Sequence, residues 1–337
     1  MPEIRWEELG FEFIPTNGHV EYHCRSGEWD AGELKADLRI TMSVAATCLH
    51  YGQAVFEGLK AFRCQDGKVR VFRDDENCRR MGDSAAYVQA PKVPLTIFQT
   101  AIDRVIKANI EFVPPYGTGG SLYVRPLLIG TGPKIGVNAS DEYAFIVLVT
   151  PVGPYYKGGV AKPLAAMVLE DYDRAAPSGT GCYKVAGNYA ASLTPSYIAK
   201  KKGYPITLFL DSRTHQFIDE FGTSNFLGIT KDGVYVTPES KSILPSITNK
   251  SLMRLAEDMD IKVERRPVRF DELPDFAEIG SCGTAVVITP IGKIVRGDTV
   301  YTIGDEFGPV LKRLREKLVR IQYGEDPDTH GWLREVK

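Results

Sequence analysis

Lys184 stands in Ser178-Gly-Thr-Gly-Cys-Tyr-Lys-Val-Ala-Gly-Asn-Tyr-Ala-Ala-Ser192, where small residues on both sides leave room for a bulky ligand close to the backbone. A lysine so placed can act as a nucleophile toward a carbonyl, although a lysine beside a glycine-rich turn is more often a solvated surface group. Tyr123 and Arg125 lie two apart in Gly120-Ser-Leu-Tyr-Val-Arg-Pro126, so a strand presents both on one face. A hydroxyl beside a guanidinium suits a carboxylate; a surface pair at a strand end fits the letters equally well. Asp219-Glu-Phe-Gly-Thr-Ser-Asn225 sets carboxylates beside a turn, and Ile243-Leu-Pro-Ser-Ile-Thr-Asn-Lys250 runs into a helix start. Helix starts hold phosphate with free N–H groups, but Thr248 or Ser246 as an ordinary N-cap is equally compatible. Leu49-His-Tyr-Gly-Gln-Ala-Val-Phe-Glu-Gly-Leu-Lys-Ala-Phe62 mixes aromatics, Glu57 and Lys60 in a stretch read as strand.

These groups need elements to hold them. Residues 54–72 read as two strands turned at Asp66-Gly67. Pro94 opens a helix through Ile97, Phe98, Ala101, Ile102, Val105 and Ile106, closed by Pro114-Pro115, and apolar strands follow over 121–129 and 143–150. Chain breakers gather in residues 151–163. Beyond them, strands at 164–169, 206–210, 226–229, 234–236 and 285–288 alternate with helices at 186–202, 250–259 and 307–322. The expected organisation is a small N-terminal α/β domain over 1–156, a linker over 157–170 and a larger C-terminal domain over 171–337. In the last helix, Lys312, Arg313, Arg315, Lys317 and Arg320 surround an apolar stripe, which reads as a solvated outer face rather than a recognition helix.

A net charge of −2 over 337 residues leaves no broad basic field for nucleic acid or anionic lipid. No apolar run approaches the length of a membrane span, and the opening residues resemble neither a secretory nor a transit signal, so a cytoplasmic location is expected. The six cysteines show neither C-x-x-C nor metal spacing and read as free thiols. His19, Glu21 and His23 share a strand face, where an exposed polar face is a commoner outcome than a metal site; no metal is expected.

In register along the chain, H-Y-G-Q-A-V-F-E-G-L-K-A-F, S-L-Y-V-R-P-L-L-I-G, G-C-Y-K-V-A-G-N-Y, D-E-F-G-T-S-N, S-I-L-P-S-I-T and S-C-G-T-A resemble the branched-chain amino-acid aminotransferases of the fold-type IV pyridoxal-phosphate class. The resemblance runs from about Leu49 to the terminal I-Q-Y-G. It implies an N-terminal α/β domain, a larger pseudo-barrel domain and pyridoxal 5'-phosphate in the cleft between them, with Lys184 carrying the cofactor and moving the substrate proton. Glu220 would face the pyridine nitrogen and Tyr189 the ring oxygen. Arg80, Thr223, the N–H groups of Ile247 and Thr248, and Thr284 would complete the cofactor site. Substrate would meet Tyr51, Phe56, Tyr123, Arg125, Tyr155 and the N–H groups around Thr284 and Ala285. The reaction implied is transfer of the amino group from leucine, isoleucine or valine to 2-oxoglutarate, in a homodimer or higher homo-oligomer. Ser246 replaces the usual glycine and Asn249 a frequent arginine, while Val286 and Thr289 replace the redox cysteines of some relatives, so no thiol switch is expected there. D-amino-acid aminotransferases and aminodeoxychorismate lyases share the fold and cofactor, and the Tyr123–Arg125 pair speaks against them; a binding protein without turnover is the rival from another class.

Overall fold

The computed structural model describes residues 4–153 and 162–337. It divides into two compact units: Met1–Lys157 with Tyr183–Gly187 and Ile321–Lys337, and Gly158–Cys182 with Asn188–Arg320. Two short stretches thus join the first unit from beyond its expected end. The Leu333–Glu335 strand pairs antiparallel with Val69–Phe72, and Val185 bridges Val55.

The first unit is built on a nine-stranded sheet whose path runs Leu333–Glu335, Val69–Phe72, Leu59–Arg63, Ser121–Gly130, Glu142–Val152, His19–Arg25, Glu28–Trp29. Alternation along Glu142–Val152 sends Tyr143, Phe145, Val147 and Val149 into the main core and Ala144 and Ile146 into a smaller cluster on the other face. The Leu95–Ala108 helix follows Pro94 as its period predicts, and Phe98, Ala101, Ile102, Val105 and Ile106 are its buried face. Phe98 stacks on Phe145 with ring centroids 5.8 Å apart. The helix stops earlier than Pro114 because buried Asn109 turns its side-chain amide back to the Val105 carbonyl at 2.7 Å. A second helix, Asp74–Tyr87, has no counterpart among the sequence-based expectations, and residues 49–51 fall in a helix, Thr47–Tyr51, rather than a strand.

In the second unit six strands close a ring: Ile218–Phe221, Ile206–Leu210, Leu164–Val168, Val287–Arg296, Phe276–Gly283 and Ser224–Thr230, which pairs back to Ile218–Phe221. Leu164–Val168 lies parallel to both its neighbours, and the other pairs in the ring are antiparallel. Closure leaves no free edge within the ring. Phe221, Phe226, Phe276, Ile291 and Ile294 belong to its core, where each fully buried large side chain is worth about 1.5–3 kcal/mol. The expected helix over 186–202 is broken at Ser192 into Ala186–Ala191 and Leu193–Lys201. The expected strand 285–288 begins only at Val287 and continues to Arg296. In Pro309–Gln322 the stripe Leu311, Leu314, Leu318 and Ile321 is buried while Lys312, Arg313 and Arg320 are exposed, as its amphipathic pattern predicts.

Candidate active site

In the first unit the Asp74–Tyr87 helix and the link between the strands Ala54–Phe56 and Leu59–Arg63 assemble a buried polar group. Arg80 donates from Nε to Glu57 Oε1 at 2.8 Å and from Nη2 to Glu57 Oε2 at 2.7 Å, and Asn77 Nδ2 adds a third bond to Glu57 at 2.7 Å. Glu57 is wholly shielded from solvent, so this bidentate pair fixes the guanidinium plane. One turn on, Ser84 accepts the backbone N–H of Lys184 at 2.9 Å and donates to the Arg80 carbonyl at 3.0 Å. One helix therefore holds both the arginine and the lysine backbone. The Lys184 ammonium lies over the Phe56 ring, 4.7 Å from its centroid. Burial, reinforced by the Arg80 charge, pushes the amine down to about 8.

The same Phe56 ring receives the Arg125 guanidinium at 4.7 Å, and Arg125 Nη2 donates to the Tyr123 hydroxyl at 2.8 Å. Tyr123 and Arg125 thus share a face as their spacing predicts. Arg125 Nε is buried with no hydrogen-bond partner among the described residues, a donor suited to an anion. A side chain on Gly58 would overlap the Tyr123 hydroxyl, so only glycine allows this approach. Tyr51, at the end of its short helix, donates from its hydroxyl to the Ile135 carbonyl. Tyr155 lies outside the described residues.

In the second unit, the Ile218–Phe221 strand buries Glu220. Its Oε1 is ion-paired with Arg174 Nη1 at 2.9 Å and accepts from the Leu244 N–H at 2.9 Å, and its Oε2 accepts from Asn225 Nδ2 at 2.7 Å. Burial pushes this carboxyl up to about 7 against the pull of Arg174. Ser246 is the N-cap of Ile247–Asp258, its hydroxyl accepting from the Asn249 N–H at 3.2 Å. Capping by Ser246 does not compete for Ile247 and Thr248, whose N–H groups precede the intrahelical ladder. Asn249 is structural: its amide accepts from the Tyr235 hydroxyl at 2.6 Å and donates to Thr237 at 2.9 Å.

Thr223 is exposed in the turn between Ile218–Phe221 and Ser224–Thr230, and Tyr189 lies half-buried in Ala186–Ala191. Thr284 and Ala285 form a turn that ends at Val287, whose φ of +63° is strained for a β-branched residue. Such strain costs about 1–3 kcal/mol and clusters at functional turns. Within the first unit the structure brings Lys184, Phe56, Tyr123 and Arg125 together; within the second it gathers Glu220, Asn225 and Arg174.

Ser84 and Arg174 escape sequence reasoning. Each is a buried polar residue whose partners are remote in sequence; the only local hint for Arg174 is its place in D-Y-D-R-A-A-P, just before the lysine segment. Ser84→Ala is expected to strand the Lys184 N–H and lower stability by about 1–3 kcal/mol, read as a fall in the thermal midpoint; an unchanged midpoint would show that this hydrogen bond contributes nothing.

His19 Nε2 and His23 Nε2 lie 3.6 and 3.2 Å from Glu21, which also binds Lys35 at 2.8 Å. Glu21 is thus buried in an ion pair with Lys35 beside two imidazoles rather than on an exposed polar face, and no group of side chains among the described residues is arranged to hold a metal ion. All six cysteines are free. No helix of the described residues is long and apolar enough to cross a membrane.

Residues 54–294 match the family model described as amino-transferase class IV. A branched-chain-amino-acid aminotransferase of Haemophilus influenzae is 44% identical, with both chains covered completely. That of Helicobacter pylori is 45% identical over all of this chain and 99% of its own. Among solved structures, the Escherichia coli branched-chain amino acid aminotransferase superposes with a TM-score of 0.79 at 28% identity, covering 96% of this chain and 100% of that one. With sheet order, the setting of the lysine and these full-length likenesses in agreement, the chain belongs to the class IV aminotransferases, of the fold-type IV architecture.

Proposed function

We propose that this chain transfers the amino group of L-leucine, L-isoleucine or L-valine to 2-oxoglutarate, using pyridoxal 5'-phosphate carried on Lys184. The observation that carries this reading is the arrangement around Phe56: a lysine amine and a guanidinium suited to a carboxylate share one aromatic ring. An apolar side chain can lie on such a wall, and the second carboxylate of glutamate or 2-oxoglutarate can reach Arg125 and Tyr123. The full-length relatives named branched-chain-amino-acid aminotransferases support the same substrate class.

The residues fit the cofactor. Lys184 offers an amine whose charge is already disfavoured, Glu220 a buried carboxylate, and the start of Ile247–Asp258 a set of N–H donors. When bound, the cofactor supplies an aldehyde carbon for the amino group and a ring that accepts electrons from the substrate Cα. Lys184 Nζ is the base that takes the proton from that Cα. Arg80, held flat by Glu57, contributes positive charge for the phosphate with Thr223, Ile247, Thr248 and Thr284, while Tyr189 serves the ring oxygen. Tyr51, Phe56, Tyr155 and the N–H groups at Thr284 and Ala285 orient the amino acid. A cytoplasmic homodimer or higher homo-oligomer completes the reading.

The test is direct. Purified protein given L-leucine and 2-oxoglutarate should accumulate 4-methyl-2-oxopentanoate and glutamate. Product from D-amino acids alone would replace this reading with the D-amino-acid enzyme, and no product from either would leave a binding protein.

A further inference from the structure

We infer that Arg174 is a positioning residue that biases the Glu220 carboxyl toward its ionised form and aims it at the cofactor's pyridine nitrogen. The inference rests on the reading of Glu220 given above and adds a residue that acts through it.

Neighbouring positions on the Ile218–Phe221 strand send Asp219 and Glu220 to opposite faces, and both are 2% exposed. Two adjacent buried carboxylates are hard to keep charged. Burial raises the Asp219 carboxyl to about 6 although the Ser240 and Ser242 hydroxyls and the Arg174 charge pull it down. Glu220 has closer partners: the Arg174 guanidinium as an ion pair and the Leu244 N–H at Oε1, and Asn225 at Oε2. Of these only Arg174 carries charge. The other titratable groups that act on Glu220 or feel it are Asp219 and Cys282, whose thiol is itself raised by burial and then by Glu220. Neither of them can stabilise a negative charge.

Arg174 is also built into place. Its Nη1 donates to the Gly181 carbonyl at 3.1 Å and to the Ser242 carbonyl at 2.7 Å, and lies 2.9 Å from Glu220 Oε1 as an ion pair. A side chain on Gly181 would meet the Ser242 backbone at about 2.5 Å, so the two segments close on the guanidinium only because glycine stands there. Gly181 lies three residues before Lys184 in the chain. Magnitudes decide the outcome. Full burial lifts a carboxyl by up to about 3–5 pH units, and an adjacent arginine returns about 1–3 of them. Without Arg174 the group at position 220 would be a neutral acid at neutral pH. A neutral acid offers an O–H where an ionised one accepts a proton-bearing nitrogen.

The experiment follows the Glu220 carboxyl by pH titration with isotope-edited infrared spectroscopy on the full chain without added cofactor. The band is assigned by its loss in Glu220→Gln. The Arg174→Gln variant should raise the protonation midpoint by roughly one to three pH units, and Arg174→Lys by a part of that, since one ammonium cannot span both carbonyls and the carboxylate. A merely structural arginine would lower the thermal midpoint and leave the titration of Glu220 where it was, which would overturn the inference. Should the glutamine variant not fold, an unmoved midpoint in the lysine variant overturns it equally. Full turnover by cofactor-loaded Glu220→Gln would instead remove Glu220 from the ring nitrogen, a failure of the underlying reading visible whatever Arg174 does.

Discussion

Replacing Lys184 with alanine is expected to abolish the borohydride-trappable linkage to pyridoxal 5'-phosphate and to cut turnover by at least about 10²–10⁴-fold, the loss of general-base catalysis alone. The physical ground is the state of the amine. An ordinary lysine is less than about one part in a thousand neutral at pH 7, whereas an amine pushed down to about 8 is roughly one part in ten neutral. Only the neutral form has the lone pair that attacks a carbonyl or accepts a proton. The sign follows: the rate of cofactor capture should climb as pH rises and level off above about 8. Two readouts check this, absorbance after borohydride reduction and stopped-flow capture rates across pH. Retained linkage in the alanine variant would take Lys184 out of the mechanism. A capture rate still climbing steeply well above pH 8 would mean that burial and Arg80 do not depress the amine as the geometry requires.

Replacing Arg125 with glutamine should separate the two substrates that share one site. The guanidinium donates to the Tyr123 hydroxyl, lies over Phe56 and keeps a buried Nε without a partner among the described residues, so a second carboxylate would find charge and donors together. Hydrogen bonds to a charged group are worth about 1.5–3 kcal/mol, which corresponds to a rise of about tenfold to a hundredfold in KM for 2-oxoglutarate. Leucine has no second carboxylate and should lose far less. Steady-state KM values for both partners decide the point. An equal loss for leucine and 2-oxoglutarate would make Arg125 a packing residue beneath Phe56, and no loss for either would move the distal carboxylate elsewhere.

Local pattern alone was enough to place much of the scaffold. The period of Ile97 to Ile106 marks a helix because its apolar positions form one continuous stripe, and that stripe is the face found buried. The two-residue spacing of Tyr123 and Arg125 puts them on one face for an equally local reason, strand geometry. The family motifs around Lys184, Glu220 and Ser246 were likewise readable, since each is a short run whose letters stay together.

The pairing of buried polar groups and the closure of the ring came from contacts between segments far apart in the chain. The Asp74–Tyr87 helix has only a short apolar stripe, Cys78, Met81 and Ala85, because the rest of its buried face carries Asp74, Asn77, Arg80 and Ser84. Those side chains can be buried only because partners remote in sequence satisfy them. Glu57 meets Arg80, the Lys184 N–H meets Ser84, and Arg334 meets Asp74 at 2.6 Å. Arg174 was invisible for the same reason: its value lies in Glu220, forty-six positions away by their numbers. Ring closure sets Leu164–Val168 beside Val287–Arg296, a neighbourhood that periodicity cannot specify. Periodicity reports which side of an element seeks apolar company, but a buried charge is tolerated only by a particular partner, and the folded chain alone determines which partner arrives.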